Sequence, residues 1–278
     1  MDEPVLQQAL ELSRQRKAFA LATVFAMEGS GSARPGAKIL IDDSGQVVSG
    51  WIGGGCAEST VREEALLSLK DGEVRTITLD LTDEFGALGM PCGGKMHVYI
   101  EPMLPKPDLV IAGHGRIVET LSQLGHLLGF AVTVADPAVD AARLTAETTV
   151  VRGWLSEVEL TPGAYVVVAT HHKGDHLALK QALDQHSTYV ALIASRTRAQ
   201  LVLEYVAAAG VSAADLQRIR TPAGLDLGAE TPEEIAVSIM SEIIALRRGG
   251  SGKPMTVAGS TIGVPSAQDL AACESEAG

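Results

Sequence analysis

Apolar residues recur along this chain in two patterns, and the change from one to the other divides it. In the first hundred residues, short apolar blocks predict strands at Phe19–Met27, Val74–Leu81 and His97–Pro102, with a hairpin of Ala37–Asp42 and Gln46–Trp51 around Asp43-Ser44-Gly45. Two helices interrupt them. Pro4–Lys17 has proline in its first turn, and Glu58–Lys70 carries an apolar stripe of Val61, Ala65, Leu66 and Leu69 with Gly72 as its C-cap glycine. Past the proline-rich stretch Glu101–Pro107, strand and helix alternate. Strands are predicted at Leu109–Ala112, Ala131–Ala135, Thr148–Val151, Tyr165–Ala169 and Tyr189–Ile193. Helices are predicted up to Leu128 and at Asp175–Gln185, Arg196–Ala209 and Pro232–Arg247.

Continuous apolar strands alternating with helices imply a parallel, doubly wound sheet. The fold class is therefore α/β: an N-terminal mixed α/β domain followed by a C-terminal Rossmann-like domain with a doubly wound parallel sheet. The expected boundaries are 1–103 for the first domain, 104–107 for a linker, 108–248 for the second domain and 249–278 for a Gly/Ser/Ala-rich tail.

Composition narrows the classes. A length of 278 residues suits two domains, and a hydrophobic share of 46% with only 4% aromatic residues makes the cores aliphatic. A net charge of −12 disfavours nucleic-acid backbones and anionic membrane surfaces. No apolar run reaches membrane-spanning length, the first residues read as an amphipathic helix rather than a leader, and the chain has no asparagine to glycosylate. The three cysteines do not make a disulfide framework. A cytoplasmic protein is expected.

The chemistry concentrates where glycine does. Gly53-Gly54-Gly55-Cys56 sets a thiol at the start of the Glu58–Lys70 helix, where amide groups and the helix dipole favour thiolate or a bound anion. A buried cysteine in a Gly-rich turn is the plainer alternative. Gly89-Met90-Pro91-Cys92-Gly93-Gly94-Lys95 imitates a P-loop. Met96 stands where the magnesium-binding hydroxyl belongs, though, and a strand follows, which leaves a thiol in a glycine nest beside a lysine.

In the second half, Gly113-His114-Gly115 follows a strand, and Asp136 ends the next one, which is the dinucleotide-binding layout. Val118 replaces the third glycine of that fingerprint, so the layout speaks for the fold more than for NAD(P). His171-His172-Lys173-Gly174-Asp175-His176 follows another strand. His172 and His176 could share a helical face as metal ligands, or the segment is a polar loop with a helix start at Asp175. Ser195-Arg196-Thr197-Arg198 is either a phosphate-binding turn or a capped helix start.

Taken in order, these residues resemble the XdhC/CoxI family, accessory proteins of xanthine dehydrogenase and related molybdenum hydroxylases. In the first domain the resemblance rests on Gly29-Ser30, Ala33-Arg34-Pro35-Gly36-Ala37, Gly53-Gly54-Gly55-Cys56-Ala57-Glu58 and Met90-Pro91-Cys92-Gly93-Gly94. In the second it rests on Ala112-Gly113-His114-Gly115, Gly129-Phe130, Asp136-Pro137, Thr170-His171 and Ser195-Arg196, and on Gly224-Leu225-Asp226-Leu227-Gly228 and the run from Thr231 to Ile239.

The resemblance implies a maturation factor, or chaperone, rather than the hydroxylase itself. Such a factor would hold the molybdenum cofactor (molybdopterin) while it gains its sulfido ligand from a cysteine desulfurase, and would deliver it to the apo-hydroxylase. Its active residues would be Cys56 and Cys92, close together across one cleft that faces the second domain. The cofactor would be met by Gly53, Gly54, Gly55, Glu58, Gly93, Gly94 and Lys95, and in the second domain by Gly113, Gly115, Asp136, His171, Ser195 and Arg196. A homodimer is implied too. The competing expectation is an NAD(P)-dependent oxidoreductase built on the second domain.

Overall fold

The computed structural model describes residues 3–29, 31, 33–81, 94–170 and 174–255, with the side chain of Cys56 outside that description. The chain forms two compact units, Met1–Asp108 with Gly129–Ala131, and Leu109–Leu128 with Val132–Gly278.

The first unit contains α1 (Glu3–Arg14), β1 (Phe19–Gly29), β2 (Lys38–Asp42), β3 (Val47–Gly50), α2 (Gly55–Asp71), β4 (Arg75–Asp80) and β5 (Gly94–Met103). Its sheet has the order β3-β2-β1-β5-β4, with every neighbouring pair antiparallel. Side chains alternate between the two faces of a strand. Ala20, Ala22, Val24, Ile39, Ile41, Val98 and Ile100 therefore share one face and bury against Val61 and Ala65 of α2. Phe19 and Leu40 point the other way and bury against Val5 of α1, with Leu21 packed alongside. Gly72 ends α2 in the left-handed conformation and donates its N–H to Ser68 O at 2.8 Å.

Three details depart from expectation. Helix α1 stops at Arg14 rather than Lys17. Arg16 takes a positive φ of 56° and turns its guanidinium to Lys106 O at 2.9 Å and Asp108 at 2.6 Å, so the chain leaves the helix there. Leu66 is not part of the buried stripe; it is 39% exposed and covers Gly45 of the hairpin. Strand β5 starts at Gly94, earlier than His97, because β1 is long enough to pair with it as far as Gly29↔Gly94.

The second unit contains β6 (Asp108–Gly113), α3 (Arg116–Leu127), β7 (Ala131–Ala135), β8 (Thr149–Val151), β9 (Tyr165–Ala169), α4 (Asp175–Asp184), β10 (Tyr189–Leu192), α5 (Arg196–Ala208), α6 (Ala213–Leu216), β11 (Ile219–Arg220) and α7 (Pro232–Arg248). The sheet order is β11-β10-β9-β6-β7-β8. The β6–β9, β7–β8, β9–β10 and β10–β11 pairings are parallel. Numbered by appearance within the unit this is 3-2-1-4-5-6, the Rossmann order, and winding reverses between β6 and β9. The strands are apolar on both faces because helices cover both: Val110, Ala112, Val166, Val168, Val190 and Leu192 form one core with Ala178, Leu179 and Val206 of α4 and α5. Helix α3 packs against α7.

The close helix–strand approach expected at position 118 is made instead at Gly125, where an added Cβ would lie 2.7 Å from Leu109 and 2.8 Å from Val132. Val118 is simply buried. Helix α7 is opened by a capping box, Thr231 accepting from Glu234 N–H at 3.2 Å while the Glu234 carboxylate accepts from Thr231 N–H at 2.9 Å. No helix among the described residues is long and apolar enough to cross a membrane.

Removing that cap gives a stability test of the second unit. Thr231→Ala should lower its unfolding free energy by about 1 kcal/mol, read from urea melts, and Thr231→Ser should recover most of the loss.

Candidate functional site

Helix α2 begins earlier than its apolar stripe implies, at Gly55 rather than Glu58, so Cys56 is its second residue. The backbone ahead of it is left-handed for three residues in succession, with φ of 117° at Gly53, 69° at Gly54 and 59° at Gly55. Side chains make such a run costly, which is why three glycines stand there. Gly54 is the N-cap and contributes no capping side chain to the amides of the first turn. Glu58 is in that turn, where its negative charge suits the helix dipole. The backbone thus places Cys56 in the first turn of α2, directly after the three glycines. Cys92, Gly93 and His171 lie outside the described residues, and so does the expected closeness of Cys56 and Cys92.

Gly94 and Lys95 belong to a strand rather than to a loop. Gly94 is buried and its carbonyl accepts from Leu81 N–H at 2.8 Å. Lys95 is exposed and out of phase with Met96, Val98 and Ile100, so it projects from the sheet face away from α2. In register it lies between Glu28 and Asp80, with opposite charges on both neighbouring strands.

In the second unit the Gly-x-Gly turn has a tight structural role. Gly113, at φ 144°, pairs in register with Ala169, and a Cβ there would collide with the Ala169 carbonyl. His114 Nδ1 lies 3.0 Å from Asp136 Oδ1, and Ala138 N–H donates to that same oxygen at 2.7 Å. Gly115, at φ 98°, is the N-cap of α3. Arg116 opens the helix and reaches Glu233 at 2.6 Å, while Glu119 in the first turn pairs with Arg143 at 2.9 Å. The structure therefore brings Gly113, His114, Gly115 and Asp136 together.

Ser195 and Arg196 sit at the head of α5, where Ser195 Oγ accepts from Arg198 N–H at 3.4 Å. They line a cavity of about 600 Å³ with the loop Gly224–Gly228. Arg198 turns inward: it binds the carboxylate of Asp175, which is 4% exposed and also accepts from the Thr170 hydroxyl. The polar strand-to-helix segment therefore uses Asp175 to tie α4 to α5. No group of three or more His, Cys, Asp or Glu side chains able to hold a metal is found among the described residues.

Sequence reasoning missed Glu242. It accepts from Tyr189 OH at 2.6 Å, Gly224 N–H at 3.1 Å and Arg220 at 3.0 Å, and so anchors the loop that walls the cavity. The available signal was a single acid inside the apolar run Ile239–Ile244 of α7.

Two family profiles match the chain. The one described as the XdhC Rossmann domain matches residues 109–243, and that of the XdhC and CoxI family matches residues 12–80. The uncharacterized protein YqeB of Escherichia coli is 31% identical over 257 residues, which are 89% of this chain and 47% of YqeB. A Bacillus subtilis protein described as a probable xanthine dehydrogenase subunit is 32% identical over 160 residues, 55% of this chain and 46% of that protein. The chain spans about half the length of these curated relatives. Among solved structures, a xanthine dehydrogenase from Bacillus halodurans aligns over 92% of this chain and 98% of its own, with a TM-score of 0.47 and 20% identity.

The Tyr189–Glu242 contact makes the second unit alkali-sensitive. Burial, and then the hydrogen bond to Glu242, push the Tyr189 pKa far above the ordinary 10.0. A raised pKa means stability that is full below pH 10 and is lost as pH rises beyond it. Tyr189→Phe should cost about 1 kcal/mol at pH 8. Its deficit against the parent should shrink in urea melts above pH 10.

Proposed function

The chain belongs to the XdhC and CoxI family, and on that premise we propose that it is a maturation factor for a molybdenum hydroxylase of the xanthine dehydrogenase or CO dehydrogenase type. Its cargo is the molybdenum cofactor, a pterin dithiolene with a phosphate. Its partners are the apo-hydroxylase and a cysteine desulfurase that supplies sulfur. The observation that carries this reading is Cys56, on the first turn of α2 behind three glycines with positive φ.

That arrangement suits the cargo chemically. A thiolate is a soft donor, appropriate to molybdenum or to transferable sulfur. The bare backbone ahead of it lets a bulky group approach closely, and the first-turn amides favour its negative charge. Cys56 holds the cargo and Cys92 is its partner, with Gly53, Gly54, Gly55 and Glu58 forming the near wall. The exposure of Lys95 on the opposite sheet face from α2 favours a surface role for that side chain over one in the thiol pocket.

Cofactor retention tests the proposal. Protein co-expressed with cofactor biosynthesis should carry molybdenum and pterin, measured by metal analysis and by oxidation to fluorescent pterin. Cys56→Ser and Cys92→Ser should each lower retention about tenfold, the double variant further, with loss of hydroxylase activation in proportion. A double variant that keeps its cofactor and still activates the hydroxylase rules out the thiol role.

A further inference from the structure

The second unit holds a larger cavity that the thiol chemistry does not use. It measures about 710 Å³, within the 300–1,000 Å³ range of small-molecule sites. It opens at the carboxyl ends of the strands beside the reversal between β6 and β9, where doubly wound sheets take their ligands. Ala112 and Ala135, one near the end of β6 and one at the end of β7, line it with methyl groups, and Thr170 follows β9. Trp154, 44% exposed, and Leu177, 65% exposed, close its rim with large apolar surfaces.

Ser156 and His176 add polar atoms to its wall, and several of the other polar groups there already have partners. Lys180 pairs with Asp184 at 2.7 Å, Gln181 Nε2 donates to Leu155 O at 3.0 Å and Val158 O at 3.2 Å, and the Thr170 hydroxyl donates to Asp175. What remains to Gln181 and Thr170 is acceptor capacity, which suits ring N–H and amino groups. An indole beside alanine methyls suits a flat aromatic face.

The neighbouring half of a dinucleotide site is, by contrast, committed elsewhere. Asp136, the acid that would take a ribose hydroxyl, already holds Ala138 N–H and lies against His114. The first turn of α3, where a pyrophosphate would dock, carries the acid Glu119, which is paired with Arg143, and its cation Arg116 is bound to Glu233. The missing Cβ of Gly113 makes room for Ala169 rather than for phosphate.

We infer that the second unit binds an uncharged, fused-ring nitrogen heterocycle in this cavity and discriminates against adenine dinucleotides. A purine nucleoside and a phosphate-free pterin share that chemistry.

The chain has two tryptophans, so a Trp51→Phe background leaves Trp154 as the single reporter. Adenosine, 6-hydroxymethylpterin and NAD are titrated against its fluorescence and by calorimetry. At least one neutral probe should quench Trp154 saturably and bind about tenfold more tightly than NAD. The two arms separate purine from pterin. Ala135→Leu fills the cavity and should weaken that probe about tenfold. Leu177→Glu, on the exposed rim where folding is not at stake, should weaken it as well. NAD binding as tight as the better of the two neutral probes, no response to both of them at millimolar concentration, or affinity of the better probe unchanged in Leu177→Glu would each overturn the inference.

Discussion

The ladder between β1 and β5 is the constraint on which the first unit depends. Strand β1 runs eleven residues and pairs with β5 from Phe19↔Met103 to Gly29↔Gly94, while β2 occupies its other edge. Because it lies centrally, its alternation decides both faces at once: Ala20, Ala22 and Val24 toward α2, Phe19 toward α1. A slip of one residue would exchange the two faces and expose both cores. The small side chains of Ala20 and Ala22 also let α2 lie close to the sheet. The head of that helix is held by the same core, because Ile52 before the glycines and Ala57 in the first turn are buried in it together with Val61 and Ala65.

The second unit divides its strand ends between two tasks. Near α3 and α5 charged groups bind one another: Arg116 with Glu233, Arg143 with Glu119, Arg198 with Asp175. Removing one partner of the buried Asp175–Arg198 pair would leave a charge in a low-dielectric setting, so that contact ties α4 to α5. Near β6 and β7 the wall is instead alanine, and a cavity results. Order and openness thus lie side by side at the carboxyl ends of one set of strands.

Most of this architecture was legible in the sequence. Long apolar strands spaced by helical stretches, punctuated by Gly and Pro, indicated the parallel sheet, and the helix expected at Pro232–Arg247 is α7 to within one residue. What escaped notice depends on pairing between distant segments. Strand β5 begins at Gly94 because β1 reaches that far, which a local reading of Gly93-Gly94-Lys95 as a nest cannot know. Leu66 falls outside the stripe because the hairpin at Gly45 comes to meet it. Glu242 serves three partners from three elements, and no short window contains them. The two-residue strand β11 carries no periodic signal of its own and exists because β10 offers it an edge.

Gly113 illustrates how a motif can have two causes. In sequence it is the first glycine of a nucleotide turn. In the fold its absent side chain leaves space for the Ala169 carbonyl across the sheet. A methyl in place of that hydrogen would drive β6 and β9 apart at the point where the winding reverses. In this chain, then, a side chain at position 113 would strain the β6–β9 pairing before any ligand is considered.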